Sequence, residues 1–185
     1  MTAIVRSGRL RLREFRAADL DALAAMVGDE EHMRFYPRPK TRGEARAWID
    51  RNLALYREHG FGFWRVESAE AGDFLGYCGI RPLQVDGVAE VEIGWHTKRT
   101  SWNRGIATEA ATAVRDVAFS RFGLDRIVAL IHPAHEASRR VAEKVGMAVQ
   151  GETVLADDYP ALIYAVEAVS RSGRASSAVR REATP

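Results

Sequence analysis

The sequence has little of several features that would each point to a particular class of protein. Its 185 residues include one cysteine, so no disulfide can form within the chain and we expect a cytoplasmic location. No long apolar run is present, which argues against a signal peptide or a membrane-spanning segment. The net charge is only +2; residues 170–185 carry +3, which leaves −1 for the rest of the chain. A near-neutral body of this kind is not typical of a nucleic-acid-binding protein.

Length and hydrophobic content predict one domain followed by a short tail. With 46% hydrophobic residues, the chain is long enough for one full core and short for two. We therefore expect residues 1–169 to form a single domain. Residues 170–185 contain four arginines and few apolar side chains, which predicts a basic, disordered tail.

Hydrophobic periodicity predicts an α/β fold in which a mixed central sheet of about seven strands is flanked by about four helices. The predicted order is β-α-α-β-β-β-α-β-α-β-β, and apolar–charged alternation such as "RLRLREF" marks the strands. Thr41 and Glu44 form a capping box at the start of the second helix, and Gly60 follows its end. A strand–helix–strand unit around Gly105 predicts one parallel strand pair.

The segment "SWNRGIATEAA", residues 101–111, lies where a predicted strand turns into a helix. The free N–H groups and the dipole of a helix N-terminus favour anions, and Gly105 permits a close approach because it has no Cβ. Ser101 or Asn103 could cap the helix, and Arg104 adds a cation. The segment lacks the patterns of nucleoside-triphosphate and dinucleotide loops. These residues alone leave both an anion-binding loop and a plain connector open.

Four stretches in sequence order resemble the GNAT acetyltransferase family, and particularly its ribosomal-protein alanine N-acetyltransferase branch. They are "GRLRLREFRAADLDAL", "AEVEIGWHTKRTSWNRGIATEA", "HPAHEASRRVAEKVGM" and "GETV…YPALIYAV", and the similarity covers about residues 9–169. The resemblance implies a GNAT-like acyl-CoA N-acyltransferase fold. It also implies transfer of an acetyl group from acetyl-CoA to a primary amine, by direct attack in a ternary complex and without a metal. The acceptor would be a protein N-terminus or a small-molecule amine.

The resemblance further implies where acetyl-CoA would bind. The strand at Ile93, Gly94 and Trp95 would splay from its neighbour and pair its backbone with the pantetheine arm. His135 and Ser138 occupy the family's Asn-x-x-Ser pattern, with histidine in place of asparagine. The pyrophosphate would be held mainly by backbone N–H groups of the loop residues Trp102, Asn103, Arg104, Gly105, Ile106, Ala107 and Thr108.

Acetyl transfer needs a neutral amine and a protonated leaving thiolate. At pH 7, deprotonation costs roughly 1 kcal/mol for an α-amine of pKa about 7.7 and about 4.6 kcal/mol for a lysine. Strand alternation places Glu90, Glu92 and His96 on one face. Glu92 is our first candidate for the general base, followed by Glu90 and His96, although a structural role on a solvated face stays open. Ser138 is a candidate to stabilise or protonate the thiolate, or is simply a helix-surface hydroxyl.

The sequence leaves a second function open, a catalytically silent module that binds or senses acetyl-CoA, because His135 replaces the family's asparagine. A metal site is not expected, since His132 and His135 have no third ligand nearby. Edge strands would allow a homodimer. The acceptor side remains undefined, and the polar residues expected to flank it by analogy are Arg34, Tyr36, Asp157, Asp158 and Tyr159.

Overall fold

The computed structural model describes residues 4–169, apart from the side chain of Asp157, and the tail expected to be disordered lies outside that range. The described residues form one eight-stranded sheet with four α-helices. The strands are β1 (Val5–Ser7), β2 (Leu10–Arg13), β3 (Phe63–Ser68), β4 (Phe74–Val85), β5 (Val88–Thr97), β6 (Arg126–Ile131), β7 (Ala148–Leu155) and β8 (Tyr159–Glu167). The helices are α1 (Leu20–Val27), α2 (Arg42–His59), α3 (Ile106–Ser120) and α4 (Glu136–Lys144). None of these helices is both long and apolar enough to cross a membrane.

This arrangement confirms the predicted mixed α/β architecture and adds one strand. The extra strand is β1, which pairs antiparallel with β2. Gly8 joins the two strands with a φ of 36°, a value in the left-handed region that glycine adopts most readily. The sequence prediction began its first strand at Arg9 and missed β1.

The sheet is mixed because one pair of neighbours runs parallel. The strand order is β1-β2-β3-β4-β5-β6-β8-β7, and β5 and β6 are the parallel pair predicted around Gly105, joined through α3. Within the described residues, Glu92 and Val128 are the one pair of Cα partners between these strands. By contrast, β5 pairs with β4 along its whole length, from Val88 to Thr97. The sheet therefore forks beyond Glu92.

Buried apolar side chains form two clusters on opposite faces of the sheet. Trp64 and Val114 belong to the cluster beneath α3, whereas Phe63 and Ile49 belong to the cluster beneath α1 and α2. Phe63 and Trp64 are consecutive, and alternation along a strand sends their side chains to opposite faces. Cys78 is fully buried in the first cluster, and burial raises the pKa of its thiol. The single cysteine is therefore a core residue.

The N-termini of α2 and α3 are built differently. Thr41 caps α2: its hydroxyl accepts from the Glu44 N–H at 3.2 Å, and the Glu44 carboxylate accepts from the Thr41 N–H at 2.8 Å. This confirms the predicted capping box. The predicted capping of α3 by Ser101 or Asn103 is wrong, since Gly105 is the N-cap and no side chain caps the helix. The intervening turn carries both side chains away from the first helical turn, and the N–H groups stay uncapped.

Candidate active site

The loop before α3 has the geometry of an anion-binding helix N-terminus. Asn103 and Gly105 have φ values of 58° and 75°, which turn the chain sharply into the helix. The indole N–H of Trp102 donates to the Thr97 carbonyl at 2.7 Å and ties the loop to the end of β5. The first hydrogen bond of α3 runs from the Glu109 N–H to the Gly105 carbonyl at 3.0 Å. The N–H groups at the helix start therefore point outward without intrahelical partners.

Arg9 holds this loop from outside, a role that the sequence analysis missed. Its guanidinium donates to the Arg104 carbonyl at 2.6 Å and to the Glu109 carboxylate at 2.8 Å. The Arg9 N–H donates to the same carboxylate at 3.2 Å. The alternating strand pattern signalled only that Arg9 would be exposed. Arg9 and Glu109 are 100 positions apart, so no local spacing could reveal the contact.

The fork between β5 and β6 opens into a cleft of about 530 Å³. Seven of the predicted residues line it together: Tyr36, Glu92, Ile93, Gly94, Trp95, His96 and Ser138. The cleft also reaches α1 and α2, which contribute residues to its wall. It thus joins the strand expected to meet the pantetheine arm with Tyr36, one of the residues expected to flank the acceptor.

The two candidate glutamates have different surroundings. The Glu92 carboxylate lines the cleft and accepts a hydrogen bond from the Arg81 guanidinium through one oxygen, at 2.5 Å. Its side chain is 13% exposed, so the carboxylate is within reach of the cleft without being freely solvated. Glu90 does not belong to the cleft lining and pairs with Arg126 at 3.2 Å instead. The geometry therefore favours Glu92 over Glu90 as the carboxylate nearest to bound molecules.

Three polar side chains form a hydrogen-bonded series at the cleft, and two of them, His96 and Tyr36, line it. His32 Nε2 lies 2.9 Å from His96 Nδ1, and His96 Nε2 lies 2.9 Å from the Tyr36 hydroxyl. Burial lowers the pKa of His96 to about 3, with smaller contributions from His32 and His135. Burial also lowers the pKa of His32. Both imidazoles are therefore neutral at pH 7, and His96 is a weak base.

The donors and acceptors in this hydrogen-bonded series can be assigned. His32 Nδ1 is buried and has no hydrogen-bond partner among residues 4–169. An unpaired buried N–H is rarer than an unpaired acceptor, which favours His32 Nε2–H as donor to His96 and His96 Nε2–H as donor to the Tyr36 oxygen. The Tyr36 O–H is then left to donate into the cleft, which Tyr36 lines. The sequence analysis proposed Tyr36 and His96 but missed His32, which lies 64 positions from His96.

His135 takes a structural role at the start of α4. Its Nδ1 accepts from the Ser138 N–H at 3.4 Å, so it caps the helix as an asparagine side chain would. The Phe35 ring stacks on the imidazole at 4.2 Å between centroids. Burial lowers the pKa of His135 to about 4, which keeps the ring neutral at physiological pH.

The expected acceptor residues are only partly brought together. Tyr36 and Tyr159 stack with ring centroids 5.8 Å apart. The Arg34 guanidinium lies over the Phe35 ring at 4.8 Å and over the Trp102 ring at 5.6 Å, which places it beside the loop before α3. Asp158 is exposed and ends a short 3₁₀ turn. The side chain of Asp157 lies outside the described part of the chain.

Comparison with known proteins identifies the family to which this chain belongs. Residues 9–148 match the acetyltransferase (GNAT) domain family. The chain therefore belongs to the GNAT acetyltransferase family, which confirms the resemblance found in its sequence.

The similar proteins include a curated relative and solved structures. An uncharacterized protein of Bacillus subtilis, YkkB, is 36% identical over 140 residues, which are 75% of this chain and 81% of YkkB. An acetyltransferase from Agrobacterium tumefaciens superposes with a TM-score of 0.79 at 26% identity, over 91% of this chain and 95% of that one. RimL, a ribosomal α-N-protein acetyltransferase solved in complex with coenzyme A, has a TM-score of 0.74 at 19% identity, over 90% and 98% of the two chains. The predicted likeness to ribosomal-protein acetyltransferases thus extends to the fold.

Proposed function

We propose that this protein is an N-acetyltransferase that transfers the acetyl group of acetyl-CoA to a primary amine by direct attack in a ternary complex. The observation that carries the proposal is the fork between β5 and β6: β5 has no β6 partner beyond Glu92, and its last residue, Thr97, accepts a hydrogen bond from Trp102 in the loop that leads into the uncapped N-terminus of α3. A diphosphate and an extended thioester arm need these two features side by side.

The residues present fit acetyl-CoA in two ways. The N–H groups of the loop from Trp102 to Thr108 lack capping side chains and suit a diphosphate. Beyond Glu92, the edge of β5 that faces β6 has backbone groups free of ladder partners, and an amide-containing arm can pair with them as an added strand does. Acetyl-CoA would supply the activated thioester carbonyl. RimL, solved with coenzyme A, shares this fold.

The chain's own residues would then move two protons and stabilise one charge. Glu92 would accept the proton released by the amine, directly or through a water molecule. A backbone N–H at Gly94 or Trp95 would donate to the carbonyl oxygen as negative charge develops there. The hydroxyl of Ser138, or the O–H of Tyr36, would donate a proton to the leaving sulfur. An α-amine needs the least help from Glu92, because deprotonating it at pH 7 costs only roughly 1 kcal/mol.

One observation favours the second candidate, a module that binds acetyl-CoA without turnover. The Glu92 carboxylate is already engaged by Arg81 through one oxygen, so that oxygen is not available to an amine. Such a module would be stabilised by acetyl-CoA but would not release thiol when an amine is added.

The test is to incubate the purified protein with acetyl-CoA and amines, and to measure free thiol. The panel contains peptides with free N-termini, polyamines and aminoglycosides. We expect amine-dependent thiol release and tight acetyl-CoA binding by calorimetry. Binding without release across the panel would establish the silent module, and absence of binding would overturn both candidates.

A further inference from the structure

The part of the cleft between α1, α2 and β4 combines an apolar wall with a few charged side chains. The wall is formed mainly by Leu23, Met33, Trp48, Phe63 and Tyr77. Such a surface favours an acceptor that buries an apolar or aromatic group. The charged side chains in the lining are Lys40, Glu44, Arg51, Arg81 and Glu92.

Both carboxylates in this lining are already neutralised by arginines. The Glu44 carboxylate accepts from the Arg38 guanidinium at 2.7 and 2.9 Å and from the N–H and hydroxyl of Thr41. These contacts hold the pKa of Glu44 well below its usual range. The Glu92 carboxylate is paired with Arg81. Neither carboxylate offers an uncompensated negative charge to a cationic acceptor.

Two cations in the same lining have no such compensation. Within residues 4–169, no hydrogen bond or ion pair joins the Lys40 ammonium or the Arg51 guanidinium to another residue. Lys40 immediately precedes the N-cap of α2, and Arg51 lies two turns beyond Glu44 on the same helix. The acceptor side of the cleft therefore carries free positive charge.

We infer that the acceptor is an amine that also carries an anionic group and an apolar or aromatic group. The inference rests on the proposed function and deepens it. A carboxylate or phosphate on the acceptor would pair with Lys40 or Arg51. A polyamine or aminoglycoside would bring further positive charge against these side chains and find no free carboxylate, so such molecules are poor acceptors.

The test uses three peptide amides with free N-termini: alanyl-phenylalanyl-glutamate, alanyl-phenylalanyl-glutamine and alanyl-phenylalanyl-lysine. The peptides differ only in their third side chain, which is negative in the glutamate peptide, neutral in the glutamine peptide and positive in the lysine peptide. We expect kcat/KM to fall in the order glutamate, glutamine, lysine, with about tenfold between successive peptides, the loss typical of one charge-assisted hydrogen bond. Spermidine should be acetylated more slowly than the glutamate peptide.

Variants that remove one positive charge show whether Lys40 or Arg51 pairs with the anionic group of the acceptor. In the double variant with Lys40→Gln and Arg51→Gln, the ratio of kcat/KM for the glutamate peptide to kcat/KM for the glutamine peptide should fall to about 1, and each single variant should lower this ratio in proportion to the share of that cation in binding. Arg57→Gln is the matched control, because Arg57 is exposed on α2 and is not part of the cleft lining. It should retain the full preference.

The outcomes separate this inference from the proposed function. If acetyl-CoA does not bind and no amine releases thiol, the proposed function fails. If acetyl-CoA binds and at least one amine is acetylated, the inference alone would be overturned by equal rates for the three peptides, by a preference for lysine or spermidine, or by turnover of other amines but of none of the peptides. Retention of the glutamate preference in the double variant would also overturn it.

Discussion

Replacing Gly105 by alanine tests the diphosphate loop directly, because this residue is the N-cap of α3. Gly105 has a φ of 75°, and an L-residue held in the left-handed region costs about 1–2 kcal/mol. A Cβ at this position would lie 3.2 Å from a guanidinium nitrogen of Arg9. Arg9 would have to shift, which loosens its bond to the Arg104 carbonyl. We expect a modest loss of unfolding free energy and a larger loss of acetyl-CoA affinity.

Gly123→Ala is the matched control for this variant. Gly123 has a φ of 66°, and a Cβ there meets nothing within 4 Å. It lies beyond the opposite end of α3, more than about 20 Å from Gly105 along a helix that rises 1.5 Å per residue. Both variants should lose about 1–2 kcal/mol in urea unfolding, whereas calorimetry should show at least about tenfold weaker acetyl-CoA binding for Gly105→Ala alone. Equal dissociation constants for the two variants would refute the loop assignment.

Three further variants probe the rest of the site. Arg9→Gln should raise the KM for acetyl-CoA several-fold and leave that for the amine unchanged, because only the loop loses its clamp; Arg6→Gln on β1 is the control in steady-state kinetics. Glu92→Gln should lower kcat by about 100-fold with acetyl-CoA affinity intact by calorimetry, and an unchanged kcat would dismiss Glu92 as the base. The pKa of His96 is about 3 in the folded protein and about 6.5 when unfolded, so the unfolded state binds more protons between these values and stability falls as pH drops through that window. The slope is about 1.4 kcal/mol per pH unit, and thermal unfolding of His96→Gln should show a shallower pH dependence; an equal slope in the two proteins would refute this prediction.

The sequence predicted best those features that depend on neighbouring residues. The ends of α2 follow from Thr41, Glu44 and Gly60, which act within one turn of the helix terminus. The N-terminal end of α3 was harder to predict, because Asn103 and Ser101 have side chains suited to capping. The left-handed turn at Asn103 and Gly105 carries these side chains away, and only backbone geometry decides this.

The site itself was predictable where the main chain forms it. The loop around Gly105 and the strand at Gly94 could be proposed because their order along the chain resembles a family pattern. Arg9 and His32 were missed, since their partners lie 100 and 64 positions away. The pairing of Glu92 with Arg81 was also missed, because it depends on which residues face each other across β4 and β5. Contacts of this kind are set by tertiary structure.

The fork has a mechanical consequence for the whole molecule. The sheet consists of two wings, β1–β5 and β6–β8, and among the described residues Glu92 and Val128 are the one pair of partners that joins them. A thioester arm bound in the fork would pair with the facing edges of β5 and β6, as an additional strand that is present only in the complex. Between Ile93 and His96 and between Ala129 and Ile131, the amide hydrogens that point into the fork, rather than toward β4 or β8, should then exchange quickly in the empty protein and slowly in the complex. Cofactor loading would thus determine how rigidly the two wings move together.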